Sequence, residues 1–208
     1  MDAVAAQGLF VAGHLALTPE HGFAPHLRSL ALLAPDGAAF WPRFTASPEY
    51  QDGAPDPMDR WSARVIGALA QDLGGEAAFP FGQPHRPFFD WALRSGRCHP
   101  SPVWMLVHDR MGLWTSFRGA IALPDPVEAA APQPSPCLPC PRPCATACPV
   151  GALTAAGYDV PACHAFLDTP AGADCLSQGC AVRRACPAGE GYGRLGSQSA
   201  WHMRQFHP

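Results

Sequence analysis

The sequence predicts an α+β protein that is divided into two domains by a proline-rich segment. Before residue 124, short apolar runs typical of strands alternate with helical patterns. Residues 124–136 are rich in proline and lack an apolar period, so we expect a semi-rigid linker there. All but one of the nine cysteines follow it. We therefore expect one domain over residues 1–123 and a cysteine-rich domain over residues 137–208.

The first domain is expected to begin with strand-like segments. Leu9–Leu17 is apolar but interrupted, and it fits a strand or a short helix. Leu27–Leu33 is a compact apolar run closed by a Pro-Asp-Gly turn signal, and it predicts a buried strand. Residues 41–48, with aromatic side chains and two prolines, are expected to form a loop.

The clearest helix signal in the sequence starts at Asp56, which is a favourable capping residue. Pro57 suits the first helical position, and the pair Gly74 and Gly75 marks the end. Apolar side chains recur on one stripe, which predicts a face directed at the core. These side chains are Met58, Trp61, Val65, Leu69 and Leu73.

Four further elements complete the prediction. Ala77–Phe81 is a strand candidate, and Phe88–Arg94 is a helix candidate. Val103–Val107 and Trp114–Leu123 are apolar and are joined by a short polar turn, which predicts an antiparallel hairpin. The tail SQSAWHMRQF, residues 197–206, is typical of a short terminal helix.

Composition narrows the class of protein. The net charge is -3, and no lysine occurs, so no basic footprint for nucleic acid is expected. No apolar run reaches the roughly 18 residues of a membrane span, and the start lacks the basic residues of a secretory signal. We expect a soluble cytoplasmic protein. In that reducing compartment, dense cysteines favour metal ligation over disulfides.

The cysteines follow a pattern typical of iron-sulfur proteins. Residues 137–149 read CLPCPRPCATACP, with four cysteines and a proline directly after the last. In such a run, three thiolates hold one cluster while the fourth, followed by proline, reaches another. A second group ends in the same Cys-Pro pair. It contains Cys163, Cys175, Cys180 and Cys186. Eight cysteines match the ligand count of two [4Fe-4S] clusters.

Crossing of the two Cys-Pro cysteines predicts two ligand sets. The first set is Cys137, Cys140, Cys144 and Cys186. The second set is Cys148, Cys163, Cys175 and Cys180. Three alternatives stay open: zinc held by separated cysteine pairs, disulfides or unligated thiols, and a single cluster, because the second group is irregularly spaced.

Four other residues near these motifs have two interpretations each. Cys98 stands alone, and it is expected to be a small buried side chain or a surface thiol. His164, next to Cys163, either tunes a cluster or is an ordinary histidine. Arg183 and Arg184 either offset the negative charge of a cluster or face water.

The C-terminal third resembles the dicluster ferredoxin module of epoxyqueuosine reductases and reductive dehalogenases. The matching residues are CLPCPRPCATACPVGAL, the isolated Cys163, Gly179-Cys180 and Cys186-Pro187. The spacings from Cys140 to Cys144, from Cys175 to Cys180 and from Cys180 to Cys186 are longer than in that module. The resemblance implies a ferredoxin-like domain that carries two clusters.

The first domain is weakly similar to B12-processing proteins of the cblC type. The similar stretches are VHDRMGLWTSFRGAIALP and DPMDRW. This resemblance implies a truncated nitroreductase-like domain that binds cobalamin or flavin, with His108, Trp114 and Arg118 as candidates for the pocket wall. Two of these residues have another interpretation. Trp114 is also consistent with a core residue, and Arg118 with an ion-pair partner of an acidic neighbour.

We expect an electron-transfer protein whose two clusters pass single electrons to a partner protein or to a cofactor in the first domain. The first alternative is an iron-sulfur oxidoreductase that reduces or processes a corrinoid or flavin. The second is a protein whose iron-sulfur or zinc site is purely structural. No Gly-rich phosphate loop, serine elbow or HExxH motif supports nucleotide hydrolysis or proteolysis.

Overall fold

The computed structural model describes residues 2–127, 131 and 133–208. The α-helices are α1 (Asp2–Ala6), α2 (Gly37–Thr45), α3 (Pro48–Gln51), α4 (Pro57–Asp72), α5 (Phe88–Arg94), α6 (Val160–Leu167), α7 (Ala173–Gln178), α8 (Ala181–Arg184) and α9 (Gly196–Phe206). The strands are β1 (Leu9–Ala16), β2 (Ser29–Pro35), β3 (Glu76–Ala78), β4 (Cys98–Pro100), β5 (Leu106–His108), β6 (Gly119–Leu123), β7 (Leu153–Thr154) and β8 (Gly157–Tyr158). This mixture confirms the α+β class. Over the described ranges, no helix combines the length and apolarity needed to cross a bilayer.

The described residues form two compact units. Unit 1 comprises Met1–Arg97 and Ser116–Gln133, and unit 2 comprises Cys98–Thr115 and Pro134–Pro208. Segment 98–115 was expected in the first domain, but it belongs to unit 2. The reason is packing, because Val103 and Val107 lie in the apolar core of unit 2. Within the expected linker, residues 128–130 and 132 lie outside the described part of the chain.

Unit 1 is built on a four-stranded antiparallel sheet with the order β1-β2-β6-β3. The strand predicted over 27–33 is confirmed as β2, in which Leu30 and Leu32 are fully buried. The ambiguous run Leu9–Leu17 forms strand β1. Since β2 and β6 each have a neighbour on both sides, their backbone hydrogen-bonding groups are used within the sheet.

The predicted hairpin of Val103–Val107 with Trp114–Leu123 was wrong. Strand β6 pairs with β2 and β3 in unit 1, whereas β5 pairs with β4 in unit 2. Both runs were apolar enough to be strands, but β6 pairs with β2 and β3, which are distant in sequence, while β5 pairs with the nearby β4. Composition and local turn signals do not encode such long-range pairing.

Helix α4 confirms the strongest helix prediction, and it packs against β3 and β6. Four of its five predicted stripe residues are buried, while Leu73, just past the helix end, is 46% exposed. The predicted cap was wrong in its geometry. Asp56 has a left-handed backbone with φ 52°, and its side chain makes no capping hydrogen bond.

The segment expected as a loop after residue 40 contains helix α2, with Pro42 inside it. Packing explains the difference, since Phe40, Trp41 and Phe44 are all buried. The rings of Phe40 and Trp61 meet edge to face at a centroid distance of 5.3 Å. Burial of these aromatic side chains offsets the cost of a proline within a helix.

Unit 2 contains little regular sheet. Hairpins β4-β5 and β7-β8 are its two small sheets, and α9 packs against α7. Its apolar core includes Val103, Val107, Leu113 and Val182, together with the buried thiols of Cys144 and Cys186. The terminal helix predicted over residues 197–206 is confirmed as α9. Cysteines are thus part of the core of this unit and are positioned by its packing.

Candidate functional site

Four thiols of unit 2 form a first set, which joins the motif at 137–149 to the end of the second group. Burial raises the pKa of the Cys144 thiol, and the negative charges that Cys186, Cys137 and Cys140 would carry as thiolates raise it further. Burial also raises the pKa of Cys137, followed by the same effect of Cys186. The four sulfurs therefore lie near one another.

Four further thiols form a second set, which is centred on Cys163 in helix α6. Burial raises the pKa of the Cys163 thiol. A hydrogen bond from Tyr158 lowers this pKa, whereas the neighbouring Cys180, Cys148 and Cys175 raise it. Cys148 thus lies near Cys163, whereas Cys186 lies near Cys144. That these two groups of thiols act as ligands stays a prediction.

The backbone in the first motif and just after it supplies N–H groups to two of these sulfurs. Arg142 has a left-handed backbone with φ 58°, an uncommon conformation for a residue other than glycine. Its N–H lies 3.3 Å from Sγ of Cys140, and the N–H of Ala152 lies 3.2 Å from Sγ of Cys148. Such N–H···S contacts stabilise a negatively charged sulfur, and around iron-sulfur clusters they help to set the potential.

The short helix α8 lies between Cys180 and the crossing cysteine Cys186, whose thiol is near the first motif. Cys180 precedes helix α8, Val182 within that helix is fully buried, and Cys186 follows its end. Beyond Cys186 the chain packs closely against residue Gly112. A Cβ atom added to Gly112 would lie 2.4 Å from the backbone nitrogen of Gly189. This close approach requires glycine and holds the segment that bears Cys186 in place.

Tyr158 and Arg183 border the second set. The hydroxyl of Tyr158 contacts Cys163, and burial, followed by this contact, raises the tyrosine pKa far above its usual range. Arg183 is half-buried, and its guanidinium donates a hydrogen bond of 2.6 Å to the carbonyl of Leu113. Burial lowers the pKa of Arg183, while the nearby Cys180 raises it. Arg183 therefore adjoins the second set.

Arg184 lies differently from its neighbour. Its side chain is exposed, and it forms an ion pair with Asp174 and donates to the carbonyl of Gly179 at 3.1 Å. Of the two arginines between Cys180 and Cys186, Arg183 fits the interpretation of an arginine that offsets the charge of a cluster. Arg184 fits the solvent-facing one.

His164 belongs to a small polar network at the end of the chain. Its Nδ1 lies 2.6 Å from Nδ1 of His207, and Nε2 of His207 lies 3.0 Å from a carboxylate oxygen of Asp168. The His164 ring also packs against Phe206, with a centroid distance of 4.6 Å. This imidazole is therefore used to join α6 to the C-terminal end of α9.

The three residues predicted for a cofactor pocket are not brought together within one unit. His108 and Trp114 belong to unit 2, whereas Arg118 belongs to unit 1. His108 is fully buried, and its Nδ1 lies 2.9 Å from the backbone nitrogen of Arg110 and 2.9 Å from Oδ1 of Asp109. The His108 ring is therefore held by the two residues that follow it in the chain.

The other two pocket candidates also have contacts inside their own units. Trp114 is 9% exposed, and the guanidinium of Arg194 lies 5.1 Å from its ring centroid. Arg118 points towards Asp59, with 3.9 Å between Nη1 and Oδ1. These contacts agree with the interpretation of Trp114 as a core residue. They also agree with the interpretation of Arg118 as the partner of an acidic side chain. Cys98 is a buried thiol on β4, directly across the strand pair from His108.

Within the described part of the chain, no three or more His, Cys, Asp or Glu side chains converge as ligands of a single ion. Four thiolates around one zinc at about 2.3 Å would have to lie within about 4 Å of one another. A polynuclear cluster spreads the same number of thiolates further apart. The donors of both sets, soft thiolates with N–H groups at their sulfurs, fit such a cluster.

Comparisons with known proteins add no relationship. No protein-family model matches the chain, and none of the curated proteins matches its sequence.

Proposed function

We propose that unit 2 holds two [4Fe-4S] clusters and that the protein transfers single electrons to a redox partner. One observation carries the proposal: the eight thiols lie in two groups, each of which takes a member from the other's stretch of sequence. Packing alone gives no reason for each group to include a cysteine from the other stretch of sequence. Two clusters do give a reason, if the cysteine before each proline is a ligand of the cluster that the other motif holds.

The residues expected to bind each cluster are those of the two sets. Cys137, Cys140, Cys144 and Cys186 would hold the first cluster, and Cys148, Cys163, Cys175 and Cys180 the second. When bound, such clusters accept and release one electron at a time. The chain itself contributes thiolates, N–H groups at Cys140 and Cys148, and an apolar core that limits access of water.

Two features bear on how electrons would move. Cys148 of the second set and Cys186 of the first both pack against the same apolar core, which also includes Val182. The two sets are therefore neighbours in one unit. The proposal also agrees with the resemblance of this segment to dicluster ferredoxin modules. The corrinoid alternative rested on His108, Trp114 and Arg118, whose contacts within their own units already explain their positions.

Anaerobic purification followed by metal and sulfide analysis tests the proposal. We expect about eight iron and about eight sulfide per chain, with absorption near roughly 400 nm that bleaches reversibly on reduction. Iron that is present but does not respond to reductant would favour the structural alternative. A colourless folded protein that contains only zinc, or no metal, would refute the proposal. Corrinoid or flavin retained through purification would favour the reductase alternative.

A further inference from the structure

A buried glutamine in helix α9 has no hydrogen-bond partner. Gln198 is 1% exposed, and neither Nε2 nor Oε1 of its side chain is hydrogen-bonded to any described residue. Leaving a buried amide unpaired costs about 1–3 kcal/mol. Native proteins therefore nearly always pair such groups with protein, water or a ligand. Because no described residue pairs with Gln198, we consider water or a bound group as its partner.

The position of α9 indicates which part of unit 2 faces Gln198. The next residue, Ser199, packs on Gly179, since a Cβ added there would lie 2.9 Å from Cβ of Ser199. Gly179 directly precedes Cys180 of the second set. Gln198 thus lies beside the segment that carries one ligand of that set.

The C-terminal end of α9 also leads to the second set. Phe206 is the last residue of this helix. The Phe206 ring packs against His164, which follows Cys163, and against Tyr158, which contacts Cys163. Helix α9 also packs on α7, which carries Cys175. Helix α9 therefore covers the elements that carry the second set, and its buried residues are Gln198 and Ser199.

We propose that Nε2 of Gln198 donates a hydrogen bond to a sulfur of the cluster held by the second set and raises its reduction potential. This inference rests on the proposed function. Reduction adds negative charge to a cluster, so an N–H donor stabilises the reduced form more than the oxidised form. Gln198 is thus a positioning and tuning residue, which supplies no ligand.

The test is a redox titration of both clusters, followed by electron paramagnetic resonance, in anaerobically purified full-length protein. Gln198→Leu and Gln198→Met both remove the donor, and methionine keeps the length of the side chain. We expect the second cluster to become about tenfold harder to reduce, a fall of about 59 mV for one electron. The first cluster should be unchanged. Gln205→Leu makes the same change at an exposed position of α9 and should shift neither potential.

The outcomes separate this inference from the proposed function. Wild-type protein without iron would refute the proposed function itself. Two clusters with unaltered potentials in either Gln198 variant would overturn only the inference. In that case the variants should also melt at higher temperature, because an unpaired polar group has been replaced by an apolar one. Selective loss of the second cluster from both variants, with the first cluster and the helical content retained, would support the inference.

Discussion

Cys144 and Cys186 are both buried in the same apolar core of unit 2, although they come from different cysteine motifs. Cys148, at the end of the first motif, packs against this core and also interacts with Cys163 of the second motif. Each motif therefore contributes its proline-flanked cysteine to the other group. This exchange makes the folding of the two motifs mutually dependent, since neither set of four is complete without both.

Replacement of a crossing ligand should remove one cluster selectively. We expect Cys148→Ser to impair the second cluster more than the first, because a serine oxygen is a poorer ligand for iron than a thiolate. Iron should fall from about eight to about four per chain. Electron paramagnetic resonance identifies the remaining cluster. Cys98→Ala, at a cysteine outside both sets, should keep the full iron content. Loss of the first cluster with the second intact would reverse the assignment.

Arg183 and Arg184 form a matched pair for testing charge near the second set. Arg183→Gln removes a positive charge beside Cys180, so the reduced, more negative cluster loses stabilisation. We expect a fall of about 59 mV, equivalent to a tenfold change in the reduction equilibrium. Arg184→Gln, at an exposed arginine paired with Asp174, should cause a much smaller shift. Equal shifts in the two variants would show that distance from the cysteines does not matter.

Local signals in the sequence were sufficient for elements whose determinants are close together. Helix α4 has its proline, apolar stripe and terminal glycines within one stretch. The partners of β6 could not be predicted in this way, because β2 and β3 are distant in sequence. Helix α2 was missed because tertiary burial of aromatic side chains outweighed the signal of Pro42.

Two residues near the second set had no sequence signal at all. Tyr158 and Gln198 are single residues without a motif, and only the folded chain brings one of them to Cys163 and buries the other. Side chains that surround ligands are chosen by three-dimensional proximity rather than by spacing along the chain. The predicted pocket of His108, Trp114 and Arg118 relied on closeness in sequence, and His108 and Trp114 belong to one unit while Arg118 belongs to the other.

The ion pair between Glu49 and Arg64 should make the stability of unit 1 depend on acid pH. The hydrogen bond from Arg64 is the main cause that lowers the pKa of Glu49 from 4.5 to about 2. Because the folded pKa is depressed, the stabilisation is complete above about pH 4.5 and is lost as the pH falls towards 2. Allowing for solvent screening at the half-exposed Arg64, we expect a loss of about 1–2 kcal/mol.

Chemical denaturation of Glu49→Gln at several pH values measures this contribution. The variant should be less stable than the parent at pH 7 and should lose less stability on acidification. Asp52→Asn is the comparison, since the pKa of Asp52 is likewise lowered to about 2 by Arg60, but at an exposed site. Its effect should be smaller. If Glu49→Gln and the parent lost the same stability on acidification, this ion pair would not be the cause of the pH dependence.

The contact between Gly112 and Gly189 should be critical for unit 2, because it fixes the chain just after Cys186. Gly112→Ala faces two costs: a left-handed backbone with φ 55° and a Cβ atom 2.4 Å from the nitrogen of Gly189. Gly151→Ala is the matched control, with φ 62° but no atom within 4 Å of the added Cβ. The control should lose about 1 kcal/mol from backbone strain. Gly112→Ala should lose a further 1–3 kcal/mol, roughly the cost of overpacking. Thermal unfolding with iron analysis measures both variants, and we expect only Gly112→Ala to release iron from the first set. Equal destabilisation of the two variants would mean that the close approach of the two glycines contributes nothing to the position of Cys186.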